Sequence, residues 1–249
     1  MMMDIHTHIL PYMDDGASDI EESLALIQML KEQGITSIVL TPHFYSHQEN
    51  LSDFLERRQG SYKSLKRAVA EFIQESDMTQ EEKSDSEICS NNQPEFKMLL
   101  GSEAYLSETL FSYDTISPLC IEDTKYLLLE LPYVEKWGPS VFKQIDRLIA
   151  KFDVAPIIAH AERYEASQRN SEKVFQELVD LGCMLQFNSH SVVNRLSRYS
   201  TLKLIKNGWM DFIGSDCHNL HNRPPEFDLY NEIIERKLGK VQYAQLTIN

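Results

Sequence analysis

Near the start of the chain, in the run MMMDIHTHIL, His6 and His8 flank a single threonine. Side chains alternate across a strand, so residues two apart point the same way and these two imidazoles aim at one point beyond the strand end. Neutral imidazoles converging on a point suit a metal ion. Taken alone, the pair reads as well as two polar residues near a frayed terminus. Further ligand types close the later apolar runs: ITSIVLTPH ends at His43, FKMLLGSE at Glu103 and VAPIIAH at His160. KYLLLELP carries Glu130, and MDFIGSDCH ends in Asp216 and His218. Asp14 and Asp15, just before Gly16, offer one more carboxylate, and either also reads as an ordinary turn or cap residue. Counting one of the two, five histidines and four carboxylates exceed the roughly four to six ligands that one ion takes. They suit two or three ions with bridging carboxylates and open positions for water or substrate. Three divalent ions against four carboxylates would leave the site locally positive. Such a cluster generates a metal-bound hydroxide near neutral pH and clamps the attacking and leaving oxygens of a phosphoester. Arg163 follows His160 by three residues and Arg223 follows His218 by five. Guanidinium is suited to bidentate phosphate recognition, although each arginine could equally form a surface ion pair.

The elements that must position these residues alternate. MMMDIH reads as a first strand, and SDIEESLALIQMLKEQG as a helix capped by Ser18 or Asp19 and stopped at Gly34. Its apolar positions, Leu24, Ile27 and Leu30 among them, recur with helical period. After the second strand, residues 50–75 read as one long helix. The polar, acidic stretch 75–95 reads as a surface insertion with little core to bury. Strands at FKMLLGSE, KYLLLELP, VAPIIAH, CMLQFNS and MDFIGSD alternate with helices near 138–152, 171–182, 200–207 and 226–238. Strands alternating with helices imply parallel pairing with crossover helices. Seven such units in 249 residues suggest a barrel more than an open doubly wound sheet. No credible linker interrupts them, so residues 1–249 read as a single domain. In a parallel barrel all these strand ends meet on one face, where active sites form.

Composition narrows the function class. A formal net charge of −14 argues against a general nucleic-acid binder and against docking on an anionic membrane surface. The four cysteines are widely spaced and form no C-x-x-C pair, as expected of reduced thiols in a cytosol. No apolar run approaches the roughly 20 residues of a membrane helix, and the N-terminus lacks a signal peptide pattern. A cytoplasmic protein without membrane insertion is the expectation.

The set D-I-H-T-H, TPH, GSE, LLLELP, IIAHAERY and SDCHN-x-x-x-RPP resembles the PHP (polymerase and histidinol phosphatase) superfamily. Within it, the chain is most similar to the branch of bacterial capsular and exopolysaccharide protein-tyrosine phosphatases, over nearly its whole length. The resemblance implies an α/β fold, a distorted (β/α)7 barrel with a trinuclear site at the C-terminal ends of the strands. It implies one ion on His6, His8, Glu103 and Asp216, and a second sharing Glu103 with Glu130 and His160. A third would take Asp15, His43 and His218, with Asp15 chosen over Asp14 by its spacing from the H-x-H pair. The ions implied are manganese, with iron or zinc acceptable to the same ligands. Arg163 and Arg223 fall where this branch contacts the substrate phosphate. The implied reaction is in-line attack of a metal hydroxide without a phospho-enzyme. The implied substrate is the phosphotyrosine tail of a bacterial tyrosine kinase controlling polysaccharide synthesis. The 75–95 stretch and the short C-terminus depart from the branch.

Three rivals stand beside this reading. Cys217 and Arg223 satisfy the C-x5-R spacing of phosphatases with a cysteine nucleophile, although HNLHN between them has no glycine and Asp216 would raise the thiol pKa. The same fold could serve histidinol phosphate or another small phosphomonoester. A metal-bound barrel could also act as a partner-binding subunit. Phe44, Tyr45 and Tyr164 border the ligands and could stack on a phosphotyrosine ring or equally be rim packing; His47 could line the entrance and His190 could support a ligand, although a surface or hydrogen-bonded histidine is the favoured reading of each.

Overall fold

The computed structural model of the chain describes residues 2–81, 96–134, 136–165, 168 and 171–239. Its first strand, β1 (Met2–Thr7), pairs in parallel with β2 (Ile35–Leu40). The β2 strand pairs onward with β4 (Lys97–Leu100). Two of the expected strands are each broken once. Beyond Leu40 the chain passes Thr41 and Pro42 and resumes as β3 (His43–Phe44), and beyond Leu100 it passes Gly101 and Ser102 and resumes as β5 (Glu103–Tyr105). Proline has no N–H to give, but its carbonyl still accepts: Glu103 N donates to Pro42 O at 3.1 Å and Gly101 N to Leu40 O at 2.9 Å. The breaks therefore bend two continuous strands. From β3 and β5 the parallel ladder runs to β6 (Tyr126–Glu130), β7 (Ala155–Ile158), β8 (Met184–Asn188) and β9 (Phe212–Gly214).

The sheet then returns to its beginning. Asp216 N donates to His6 O at 2.8 Å, His8 N donates to Cys217 O at 2.9 Å, and Thr7 bridges Cys217. Below this join, buried Asp4 accepts from Ser215 N at 2.9 Å and from Ser215 Oγ at 2.6 Å. A sheet of seven strand positions is thus curled on itself and closed by a short seam, as a distorted (β/α)7 barrel requires.

Between Asp4 and Thr7, three residue steps of β1 span two of β2. This bulge lets Ile5 join Val39, Leu128 and Ile157 in the small cluster that fills the barrel, while His6 still turns toward the strand ends. A larger cluster packs the outer faces of the strands against the helices. The first helix, α1 (Ile20–Glu32), starts at Asp19, whose Oδ1 accepts from Glu22 N at 2.8 Å, and it buries Leu26, Ile27 and Leu30. The long α2 (Leu51–Glu81) sends Arg58 inward, where it donates to Gly101 O and Ser102 Oγ at 2.7 Å each. Those bonds hold the bend that aims Glu103.

Residues 75–81, expected to open an insertion, continue α2 instead; no glycine or proline breaks the helix there. The rest of that stretch, 82–95, lies outside the described residues. The helices α3 (Pro139–Phe152), α5 (Ser171–Asp180), α7 (Arg198–Lys206) and α8 (Phe227–Leu238) fall within two residues of their expected positions. Two short ones, α4 (Glu162–Glu165) and α6 (Ser189–Val193), were not expected, since four or five residues carry too little periodicity to read. Among the described residues, no helix is long and apolar enough to cross a membrane.

Candidate metal centre

The strand ends deliver all nine expected ligand residues to one place. His6 Nε2 and His8 Nε2 stand 3.1 Å apart. Each lies 3.2 Å from Glu103 Oε2 and 3.5 Å from Asp216 Oδ1. Ligands about 2.1 Å from a common centre are themselves about 3.0–3.4 Å apart. The separations from the two imidazoles, 3.1–3.5 Å, are close to that spacing, and His6, His8 and Asp216 form one such group. His160 Nε2 is 2.9 Å from the other oxygen, Glu103 Oε1, and 3.9 Å from Glu130 Oε1. Asp15 Oδ1 lies 3.4 Å from His218 Nε2 and 3.6 Å from His43 Nε2. His43 also approaches the centre with its other nitrogen, Nδ1 being 3.0 Å from Glu103 Oε2. By geometry it groups both with Glu103 and Glu130 and with His8, Asp15 and His218. His43 therefore lies between two of the expected sets.

Tautomers decide what these nitrogens want. Gln186 Oε1 accepts the backbone N–H of His160 at 2.8 Å, and Gln186 Nε2 donates to Phe187 O at 2.7 Å, which fixes the amide's orientation. His6 Nδ1, 3.0 Å from that same oxygen, must then carry its proton. His8 Nδ1 donates to Asp14 Oδ2 at 2.7 Å. His218 Nδ1 donates to the carbonyl of Asp216 at 2.9 Å. In the neutral ring each Nε2 is left with a bare lone pair. On His6 and His8 these lone pairs face each other. Buried Glu103 Oε2, Glu130 Oε2, His43 Nδ1 and His218 Nε2 make no well-aligned hydrogen bond. Unpartnered acceptors converging on one another are what a cation would satisfy, so the donor set fits divalent metal.

Electrostatics agree. Burial opposes charge on His6 and His8. It is outweighed by Glu103 and Asp216 at His6 and by Asp14 and Glu103 at His8, so both are pushed up. Burial likewise opposes charge on Glu103, yet His6 and His160 hold it well below the usual carboxylate range. Glu130 is pushed up by burial and by the charge of Glu103. The cluster attracts positive charge, which metal ions would supply in place of protons.

Asp14 and Asp15 divide the work. Asp14 bonds His8 Nδ1 and accepts the backbone N–H of His43 at 2.9 Å and that of Gly16 at 3.0 Å, so its oxygens are engaged in orienting others. Asp15, two-thirds exposed, has its carboxylate turned to His43 and His218. The loop can place both because Gly16 lies against β1: a Cβ there would be 2.1 Å from His8 O. Gly214 is as constrained, since a Cβ would be 2.7 Å from that of His6. His160 and Asp216 hold φ values of 36° and 54°, left-handed strain at two of the site's corners.

Arg163 Nη2 and Arg223 Nη2 both bond Asp216 Oδ2, at 2.6 and 2.8 Å, while the side chains stay 40% and 37% exposed. With Asn188, Ser215 and Asn222 they line a small pocket at the edge of the ligand cluster. Arg223 also has Nη1 3.7 Å from Asp15 Oδ2, so it is set between two carboxylates of the cluster.

Several expectations need correction. Phe44 is fully buried against Phe54 and takes no place at the mouth. Tyr164 is buried too, and its hydroxyl donates to Leu131 O and accepts from Leu131 N, pinning the end of β6. Tyr45 keeps a rim position, its ring centroid 5.2 Å from that of His43. His47, exposed, borders Tyr45 and Tyr105. His190 lines the same small pocket as the two arginines, and its Nδ1 lies 2.5 Å from Glu226. Cys217 is wholly buried, and burial together with Asp4 pushes its thiol well above the ordinary range. That is the wrong environment for a thiolate nucleophile. Sequence reading missed Gln186, which orients His6 and His160. It also missed Asn188, whose Nδ2 donates to Asp216 Oδ2 at 2.7 Å. Their one signal was position, two and no residues before the end of β8, the strand that brings no ligand.

The sequence model of the family described as "Capsular polysaccharide synthesis, CpsB/CapC" matches residues 2–82 and 73–249. The chain is 28% identical to the tyrosine-protein phosphatase CpsB of Streptococcus pneumoniae, covering 100% of this chain and 96% of that protein. It is 28% identical to the tyrosine-protein phosphatase YwqE of Bacillus subtilis, covering 100% and 89%. In fold it is similar, with a TM-score of 0.72 and 24% identity over 100% of this chain and 92% of the other, to a crystal structure from work on YwqE and CpsB, described there as unique metal-dependent tyrosine phosphatases.

Proposed function

The chain belongs to the CpsB/CapC capsular polysaccharide synthesis family, and from that premise we propose that it is a metal-dependent protein-tyrosine phosphatase. The observation that carries the metal dependence is the convergence of lone pairs at His6 Nε2 and His8 Nε2, each with its other nitrogen committed to an acceptor. Three divalent ions are proposed, manganese first, held by His6, His8, Glu103 and Asp216, by Glu103, Glu130 and His160, and by Asp15, His43 and His218. Bound there, such ions supply Lewis-acid charge neutralisation and activation of water.

The chain's own groups do the rest. Arg163 and Arg223 take the phosphoryl oxygens in bidentate contacts and hold the group against the ligand face. Asp216, bonded to both, fixes the angle between them and ties their position to that of the ligands. Asp14, Gln186 and the carbonyl of Asp216 keep the three Nδ1 protons where they are, so Nε2 stays available through the cycle. Tyr45, partly buried beside His43, and Tyr105 next to it offer ring faces for the substrate's aromatic group. The substrate proposed is phosphotyrosine in the tail of a bacterial tyrosine kinase governing capsule or exopolysaccharide synthesis, with the work done in the cytoplasm.

Comparing kcat/KM for a phosphotyrosine peptide and for histidinol phosphate tests the substrate. The peptide is expected to win by about tenfold or more, because a peptide adds aromatic contact beyond the phosphoryl group. Faster turnover of histidinol phosphate would keep the site and move the substrate.

A further inference from the structure

Outside the metal-ligand cluster, one cavity of about 390 Å3 is ringed by cations. Arg195 precedes α7, Arg198, Lys203 and Lys206 lie along it, and Lys237 reaches the cavity from the end of α8. No acidic residue is among those lining it. Lys203 has one partner, exposed Glu172 at 3.5 Å. Arg198 is held in place by the carbonyls of Val192 and Val193, which fix its guanidinium without neutralising it. Arg195, Lys206 and Lys237 pair with no carboxylate among the described residues. In a chain with a net charge of −14, five cations stand here against one carboxylate, Glu172. Such a patch calls for an anion.

The same stretch carries the two most exposed large apolar side chains among the described residues, Leu196 at 94% and Tyr199 at 83%. A soluble anion would account for the cations and leave Leu196 unexplained. An anionic bilayer accounts for both. Headgroup phosphates meet lysine and arginine, tyrosine settles at headgroup depth, and an exposed leucine reaches the acyl boundary. The acidity of the whole chain does not forbid this, because at physiological salt charges beyond about 8 Å are largely screened.

We propose that the face lined by Arg195, Arg198, Tyr199, Lys203, Lys206 and Lys237, with exposed Leu196 next to it in the chain, docks the protein peripherally on a membrane rich in anionic phospholipid. The site lies outside the catalytic reading and does not depend on it. Since α6 starts directly after Asn188 at the edge of the phosphate pocket, docking here would hold that pocket one short helix from the bilayer.

Sedimentation of the full chain with unilamellar vesicles tests the proposal. The protein is expected to pellet with mixed phosphatidylglycerol–phosphatidylcholine vesicles and to stay in solution with pure phosphatidylcholine. Raising salt should release it. The pair Lys206→Glu with Lys237→Glu should weaken partition roughly thirtyfold or more, at about fivefold for each cation lost and further for each charge reversed. Leu196→Ser should weaken it several-fold. Both variants should hydrolyse a soluble substrate like wild type, which shows that they are folded. Absence of binding to anionic vesicles, or binding unchanged by the charge reversal, would overturn the proposal. So would capture of a soluble acidic peptide through the same lysines by a protein that ignores vesicles.

Discussion

Glu103→Gln is expected to cut kcat/KM for a phosphotyrosine peptide by at least about 10³-fold and to lower bound metal in the purified protein. No other side chain of the site is placed like Glu103. Its Oε2 faces nitrogens of His6, His8 and His43 at 3.0–3.2 Å, and its Oε1 faces His160 at 2.9 Å. Four imidazoles from three strand positions thus meet on one buried carboxylate. The amide of glutamine fills the same volume but turns one of these acceptors into a donor and removes the charge that would offset two ions. Because shape is kept, the fold should survive, and a thermal melt within a few degrees of wild type separates lost chemistry from lost structure. Metal content and activity should fall together. Wild-type activity in Glu103→Gln would remove the bridging carboxylate from the account.

Replacing both arginines is expected to act through the substrate and leave the metal in place. Arg163→Ala with Arg223→Ala should lower kcat/KM by about 10²–10⁴-fold with metal content unchanged. Both guanidiniums rest on the one oxygen Asp216 Oδ2 and remain partly open to solvent, so they are aimed and still have donors to give. Lysine at either position keeps the charge and loses the planar fork. Each single Arg→Lys change is therefore expected to cost about tenfold or more, chiefly in KM. Double-alanine protein that retains wild-type kcat/KM would show that phosphate is held elsewhere. The contrast with Glu103→Gln is the useful part: one change should empty the site, the other should leave it loaded and unable to hold its substrate.

The residues of the cluster were legible because all but Asp15 lie at or just beyond an apolar strand run, and a parallel barrel brings the ends of such runs to one face whatever its other details. His43, Glu103 and His160 follow apolar runs whose ends the residue types mark. The choice between Asp14 and Asp15 was not legible from residue type or burial. It follows from where Gly16 lets the loop turn, with Asp14 folded back onto His8 and His43 while Asp15 stays two-thirds exposed. Gln186 and Asn188 escaped notice because amides do not mark chemistry in sequence, and their role exists only once His6, His160 and Asp216 stand beside them. The bends at Pro42 and Gly101 were read as strand ends or passed over, since each interrupts a ladder that other bonds carry through. Phe44 and Tyr164 take no place at the mouth because nearness in sequence to the cluster says nothing of which side of a strand, for Phe44, or of a short helix, for Tyr164, a ring occupies.

The most direct test of the account is the rate of phosphotyrosine-peptide hydrolysis by chelator-treated protein, before and after manganese is restored, in wild type and in Cys217→Ser. The account predicts that chelation abolishes turnover and that manganese returns it equally in both proteins, the buried thiol being dispensable. Activity that persists through chelation and disappears in Cys217→Ser would contradict it.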